Sequence, residues 1–215
     1  MTAQAQETID LITHPWLKAS ARTGVAVTLA AAGRATQAQQ ILDQLTDPDL
    51  KALALARIAG TLATTGQTTQ ALHAANQAVE ILRLITDPRA REEVVPTVTY
   101  HLAAAGLATQ ADQAALDPQS PWRSAETLGY VAAGLAAHGF TAAARHTFTQ
   151  AHHTINQIAD PHGRQWVLTS LAANEAAAGF TTQARHTAKQ ALETINQTTT
   201  ANQNPEALRD NDDTE

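Results

Sequence analysis

The apolar residues of this chain recur in a helical pattern. Five stretches carry Val25-Ala26-Leu29, Ile58-Ala59-Leu62, Val98-Thr99-Leu102, Val131-Ala132-Leu135 and Leu171-Ala172-Glu175. Spacing of i, i+1, i+4 puts each trio on one face of a helix, because residues four apart lie one turn above each other. A second set follows in most of these stretches at i, i+4, i+7: Ala38-Leu42-Leu45, Ala71-Ala75-Ala78, Ala144-Phe148-Ala151 and Ala184-Ala188-Ala191. Between the two sets stands a glycine: Gly33, Gly66, Gly106, Gly139 and Gly179, at intervals of 33, 40, 33 and 40 residues. Eighteen residues before each glycine stands a proline: Pro15, Pro48, Pro88, Pro121 and Pro161.

These residues punctuate helices. Proline suits the first helical position, where its missing N–H costs nothing. Asp47, Asp87, Ser120 and Asp160 precede four of the prolines, and such side chains accept hydrogen bonds from the free N–H groups of a first turn. Glycine stops a helix by adopting a left-handed conformation. Each proline-to-glycine stretch therefore predicts a helix of about four turns, and a second helix begins two or three residues later. The result is an all-α chain of five antiparallel helix hairpins. The alternating intervals make a pair of hairpins the higher repeat. That is why "LAAAGRATQA" at 29–38 returns as "LAAAGLATQA" at 102–111.

The same offset maps "LITDP" at 84–88 onto "LITHP" at 11–15, Leu82 onto Ile9 and Ala78 onto Ala5. Residues 1–14 thus read as a partial leading helix, a half-repeat or cap. Residues 15–198 form the repeat domain, and the polar, acidic segment 199–215 is expected to be disordered. Three residues break the pattern. Arg22 and Glu175 occupy apolar slots in the first and last hairpins, where terminal repeats commonly face water. Pro96 lies inside the first helix of the third hairpin and removes the bond to the Glu92 carbonyl, which predicts a kink.

The pattern resembles the tetratricopeptide repeat. Ala59, Leu62, Gly66, Ala71, Ala75 and Ala78 carry the likeness, as do Ala132, Leu135, Gly139, Ala144, Phe148 and Ala151. The positions that usually hold Trp and Tyr in that family hold aliphatic or small residues here. The resemblance implies an α-solenoid whose first helices line a concave surface that takes a protein or peptide. Its inner positions are mostly small in this chain, with Leu53, Glu93, Tyr100, Glu126 and Trp166 as the large contacts. Small residues there equally suit tight superhelical packing without a ligand. The Lys/Asn clamp that some members use for a peptide carboxylate is absent.

Charge and chemistry narrow the functions further. The net charge is −6, whereas nucleic-acid binding needs a basic face that displaces phosphate counterions. There is no cysteine, hence no disulfide or thiolate metal site. The amino-terminal residues lack the basic and apolar regions of a secretory signal, and no stretch reaches the ~20 apolar residues of a membrane helix. The expectation is a cytoplasmic protein that meets neither nucleic acid nor membrane. Nine histidines invite a metal, but no two are four apart. His73, His146 and His186 each follow their glycine by seven and read as a solvated outer row. Glu92-Glu93 reads as helix-terminal charge. Trp16 and Trp122 follow their prolines and are expected to pack over the neighbouring hairpin's end. No phosphate-binding loop, dinucleotide fingerprint or nucleophile elbow is present, so neither cofactor nor catalytic residue is assigned. The sequence reads as an interaction scaffold or adaptor, or the sensor or repeat module of a larger system. An enzyme with its site inside the superhelix and a scaffold that self-associates through terminal hairpins are the alternatives.

Overall fold

A computed structural model describes residues 7–117 and 120–203 of the chain. Among them there are helices and no strands. Residues 7–10 form a helical turn. Ten helices follow: α1 (Pro15–Ala31), α2 (Ala35–Leu42), α3 (Pro48–Thr64), α4 (Thr68–Leu84), α5 (Pro88–Ala104), α6 (Ala108–Ala115), α7 (Pro121–Ala137), α8 (Thr141–Ile155), α9 (Pro161–Ala177) and α10 (Thr181–Gln203). The chain divides into two compact units, 1–115 and 116–215. The first holds three hairpins (α1–α2, α3–α4, α5–α6) and the second holds two (α7–α8, α9–α10).

Every first helix starts at its proline, and every second helix starts two residues after its glycine. All five glycines have φ between 73° and 82°, a conformation that a Cβ penalises. The residue after each glycine then donates its N–H back across the helix end, as in Gln67 to the Leu62 carbonyl at 2.9 Å and Phe180 to the Glu175 carbonyl at 2.8 Å. These bonds satisfy carbonyls that the helix itself leaves free. Three of the four expected caps form. Asp47 accepts from Asp49 and Leu50, Asp87 from Arg89 and Ala90, and Asp160 from His162 and Gly163. Ser120 makes no side-chain cap. Instead, Ser124 within the first turn accepts the Asp117 N–H at 2.7 Å. Pro96 does not interrupt α5, which runs through it to Ala104.

In the first unit α1, α3 and α5 pack in series, each against its own second helix, and α4 also meets α6. The interior is made of the predicted trios: Ala26, Leu29, Ile58, Ala59, Leu62, Val98 and Leu102 are all buried. Ile9 is buried as the matching Leu82 is. In the second unit α7 packs on α9, and Gly129 permits the approach: a Cβ there would lie 3.2 Å from Leu171 and 3.3 Å from Asn174. Val131, Leu135, Phe148, Val167 and Leu171 fill that interior, with the Phe148 and Phe180 rings edge to face at 5.3 Å.

Several sequence expectations are corrected. Glu175 does not face water: it is 0% exposed. Arg22 is half-buried and reaches back to the leading turn, 3.7 Å from Asp10, while also donating to the Gln44 carbonyl at 3.3 Å. Its long stem covers apolar surface while its head finds oxygen partners. The last helix runs to Gln203, past the start of the segment expected to be disordered. The expectations for residues 1–6, the Trp16 side chain and residues 204–215 lie outside the described residues.

Candidate functional site

The five large residues assigned to the first-helix face fall in both units. In the first unit Leu53 on α3 is half-buried, between Asp49 and Arg57 one turn to either side. Glu93 on α5 is exposed and pairs with Arg89 four residues earlier at 3.6 Å. Asp49 feels both helices: burial, then Asp47, Asp87 and Glu93, raise its carboxyl above the ordinary value. Like charges therefore gather where α3 and α5 begin. Further along the same pair of helices the sign reverses. Burial and then Arg57 push the His101 imidazole below its usual value, because both favour the uncharged ring. Tyr100 beside it is half-buried, its ring edge-on to His101 at 5.8 Å.

The second unit gathers aromatic rings. Trp166 on α9 is 53% exposed and Trp122 on α7 is 41% exposed. Their rings meet edge to face with centroids 6.3 Å apart, a favoured aromatic geometry. The Arg123 guanidinium lies 5.2 Å from the Trp122 ring centroid. Glu126 is half-buried one turn beyond Trp122, and Tyr130, 56% exposed, follows one turn later. The contact between Trp122 and Trp166 does join neighbouring hairpins. It leaves both rings open to solvent, so Trp122 belongs with Trp166 as a candidate contact. Tyr130 was overlooked, although the i, i+4, i+8 series Trp122, Glu126, Tyr130 marks one helix face.

Each unit also has a cleft beside its second helices. In the first unit a cleft of about 640 Å³ lies between α2 and α4, over Leu55, Ile58 and Leu62 and beside Ala74. Gln70, His73 and Gln77 stand on its α4 side. In the second unit a cleft of about 500 Å³ lies among α8, α9 and α10 over Leu168, with Gln183, His186 and Gln190 on its α10 side. Counted from Gly66 and Gly179, these are the same positions. The buried positions behind them differ. Leu62 and Ala74, which line the first cleft, correspond by register to Glu175 and Thr187, which are fully buried and do not line the second.

Glu175 is held from two helices. Its Oε1 lies 2.7 Å from Nε2 of His152 on α8, and its Oε2 accepts from the Thr187 hydroxyl of α10 at 2.7 Å. Thr187 is also 0% exposed. Burying a carboxyl group is expensive unless its oxygens are hydrogen-bonded, and here both are. No residue type in one position announces this network, because its members come from three helices. Among the described residues no group of three or more His, Asp or Glu is placed to hold a metal ion. No described helix is long and apolar enough to cross a membrane.

No family model, curated protein or solved structure matches the chain.

Proposed function

We propose that the chain is a tetratricopeptide-like α-solenoid, a scaffold or adaptor that binds a protein or peptide through the exposed face of its first helices. The observation that carries this reading is the solvent-open pair Trp122 and Trp166 with Arg123 against it. Trp, Tyr and Arg are enriched among the few residues that carry most of the energy of protein interfaces. The chain has three tryptophans, and two of them make this one exposed contact. On the first unit, taken by itself, Leu53 and Tyr100 are the half-buried apolar candidates of that face. Residue roles on this face are binding roles, and no reaction, metal or cofactor is assigned to them.

Capture from the native host's lysate tests the reading. Wild type retains a partner that Trp166→Ala and Ala136→Glu both lose while keeping wild-type circular dichroism. Retention of the same partner by both folded variants contradicts binding through this face. A second reading, self-association, is favoured by Leu17 at 50% and Leu192 at 56% exposure. Light scattering distinguishes it: a mass that rises with concentration and falls to that of one chain in Leu192→Glu supports self-association.

A further inference from the structure

The last described helix is long and packs along α9, but it does so with few fully buried side chains. Among the described side chains of α10, at 181–197, those buried are Ala184, Thr187 and Ala191. The corresponding helix of the first unit, α4, buries Ala71, Ala74, Ala75, Ala78, Val79 and Leu82. Burial stabilises in proportion to apolar area, so α10 gains much less from its seat than α4 does. It packs on α9 and does not pack on α8. A polar network links it to α8: Thr187 donates to Glu175 at 2.7 Å and lies 3.3 Å from His152 Nε2, and Glu175 meets that same nitrogen at 2.7 Å.

A catch of this kind differs from an apolar one in what happens when it opens. A released leucine exposes carbon to water, which opposes release. A released carboxyl, imidazole and hydroxyl recover hydrogen bonds to water, and that hydration offsets much of what the closed network gained. The His152 side chain, 25% exposed, already touches solvent through the cleft that also holds Gln183, His186 and Gln190. The same register positions in hairpins one to four hold Leu29, Leu62, Leu102 and Leu135, all buried.

We propose that α10 is a latch helix: it detaches from α8 and α9 by local opening, with the Glu175, His152 and Thr187 network as its catch. Release uncovers the side of α9 that carries Glu175 and widens the cleft beside His152. Opening costs less than at α4 because fewer apolar side chains are fully buried, and it is specific because three directional hydrogen-bonding groups must realign for closure.

Hydrogen exchange measured by mass spectrometry on the full chain tests this. In wild type, amides at 184–197 exchange by local opening at least about a hundredfold faster than those at 71–82 of α4, well below the protection that global unfolding would set. Glu175→Leu with Thr187→Ala, the residues of the first-unit slot, slows exchange of α10 by about tenfold and leaves α4 unchanged. His152→Ala, which removes the outer member of the catch and leaves the helices intact, speeds α10 by a similar factor, again without effect on α4. Equal protection of α10 and α4 in wild type overturns the latch. Unchanged α10 exchange in either variant overturns the catch. If the double variant fails to fold, His152→Ala and the wild-type comparison still decide.

Discussion

Hairpins two and five place different chemistry in the same slot. Leu62 and Glu175 both stand four residues before a left-handed glycine, both are buried, and both offer a carbonyl to the residue after that glycine. One side chain lies among Leu55, Ile58 and Ala74 at the floor of a cleft. The other meets an imidazole and a hydroxyl from two further helices. The backbone position is set by the punctuation of the repeat, and the side chain is free to vary only when its neighbours vary with it. Leu62 lies beside Ala74, whereas Glu175 has Thr187 at the matching place and His152 across the junction.

The comparison breaks most sharply if one member is moved alone. Leu62→Glu puts a carboxyl group into a buried slot that has Ala74 where Glu175 has Thr187, and should cost about 3–5 kcal/mol, a large share of the stability of a small unit. Urea denaturation followed by circular dichroism measures the loss. His152→Ala leaves Glu175 with one partner and should destabilise the second unit by about 2 kcal/mol, since the site is partly reached by water. The double change Glu175→Leu with Thr187→Ala should stabilise by about 1 kcal/mol, because well-packed apolar residues often replace a buried polar pair with a gain. A large loss in that variant would mean that the two slots differ in shape and not only in chemistry.

Smaller effects sharpen the comparison at the helix starts. Asp47→Ala removes two cap bonds and should cost about 1 kcal/mol, read from the midpoint of urea unfolding. Ser120→Ala should cost next to nothing, because its hydroxyl caps nothing. The smallest effect is on pH dependence. The folded state holds His101 below its usual value of 6.5, so the unfolded chain takes up a proton first as pH falls. Stability of the first unit is therefore complete above that value and declines on acidification through it, until the folded ring also protonates. His101→Gln should flatten this part of a stability-against-pH profile.

Much of the fold was legible because its signals are local. A proline with its cap and a glycine eighteen residues on act through their own backbones, and repetition separates them from coincidence. Burial of Ile9 was legible from the repeat because Leu82 gave the precedent. Glu175 was misread for a physical reason. A charged residue in a terminal repeat is ordinarily solvated, and the groups that bury it lie 23 and 12 positions away along the chain, on helices that meet only in the fold. Arg22 was misread likewise, since Asp10 belongs to the leading turn. The candidates Leu53, Glu93, Tyr100, Glu126 and Trp166 follow from the family resemblance, which assigns first-helix positions and says nothing of what each side chain touches. The pairing of Trp122 with Trp166 required knowing how far α7 and α9 approach, which depends on Gly129 and its contact with Leu171.

The account rests on His152 and Glu175 acting as one joint, and a double-mutant cycle tests that most directly. Unfolding free energies would be measured for wild type, His152→Ala, Glu175→Gln and the double variant. The account predicts a coupling of at least about 1 kcal/mol, because each single change already destroys what the other would remove. Additive losses would show that the two side chains are stabilised separately, and the contrast between the slots of hairpins two and five would no longer hold.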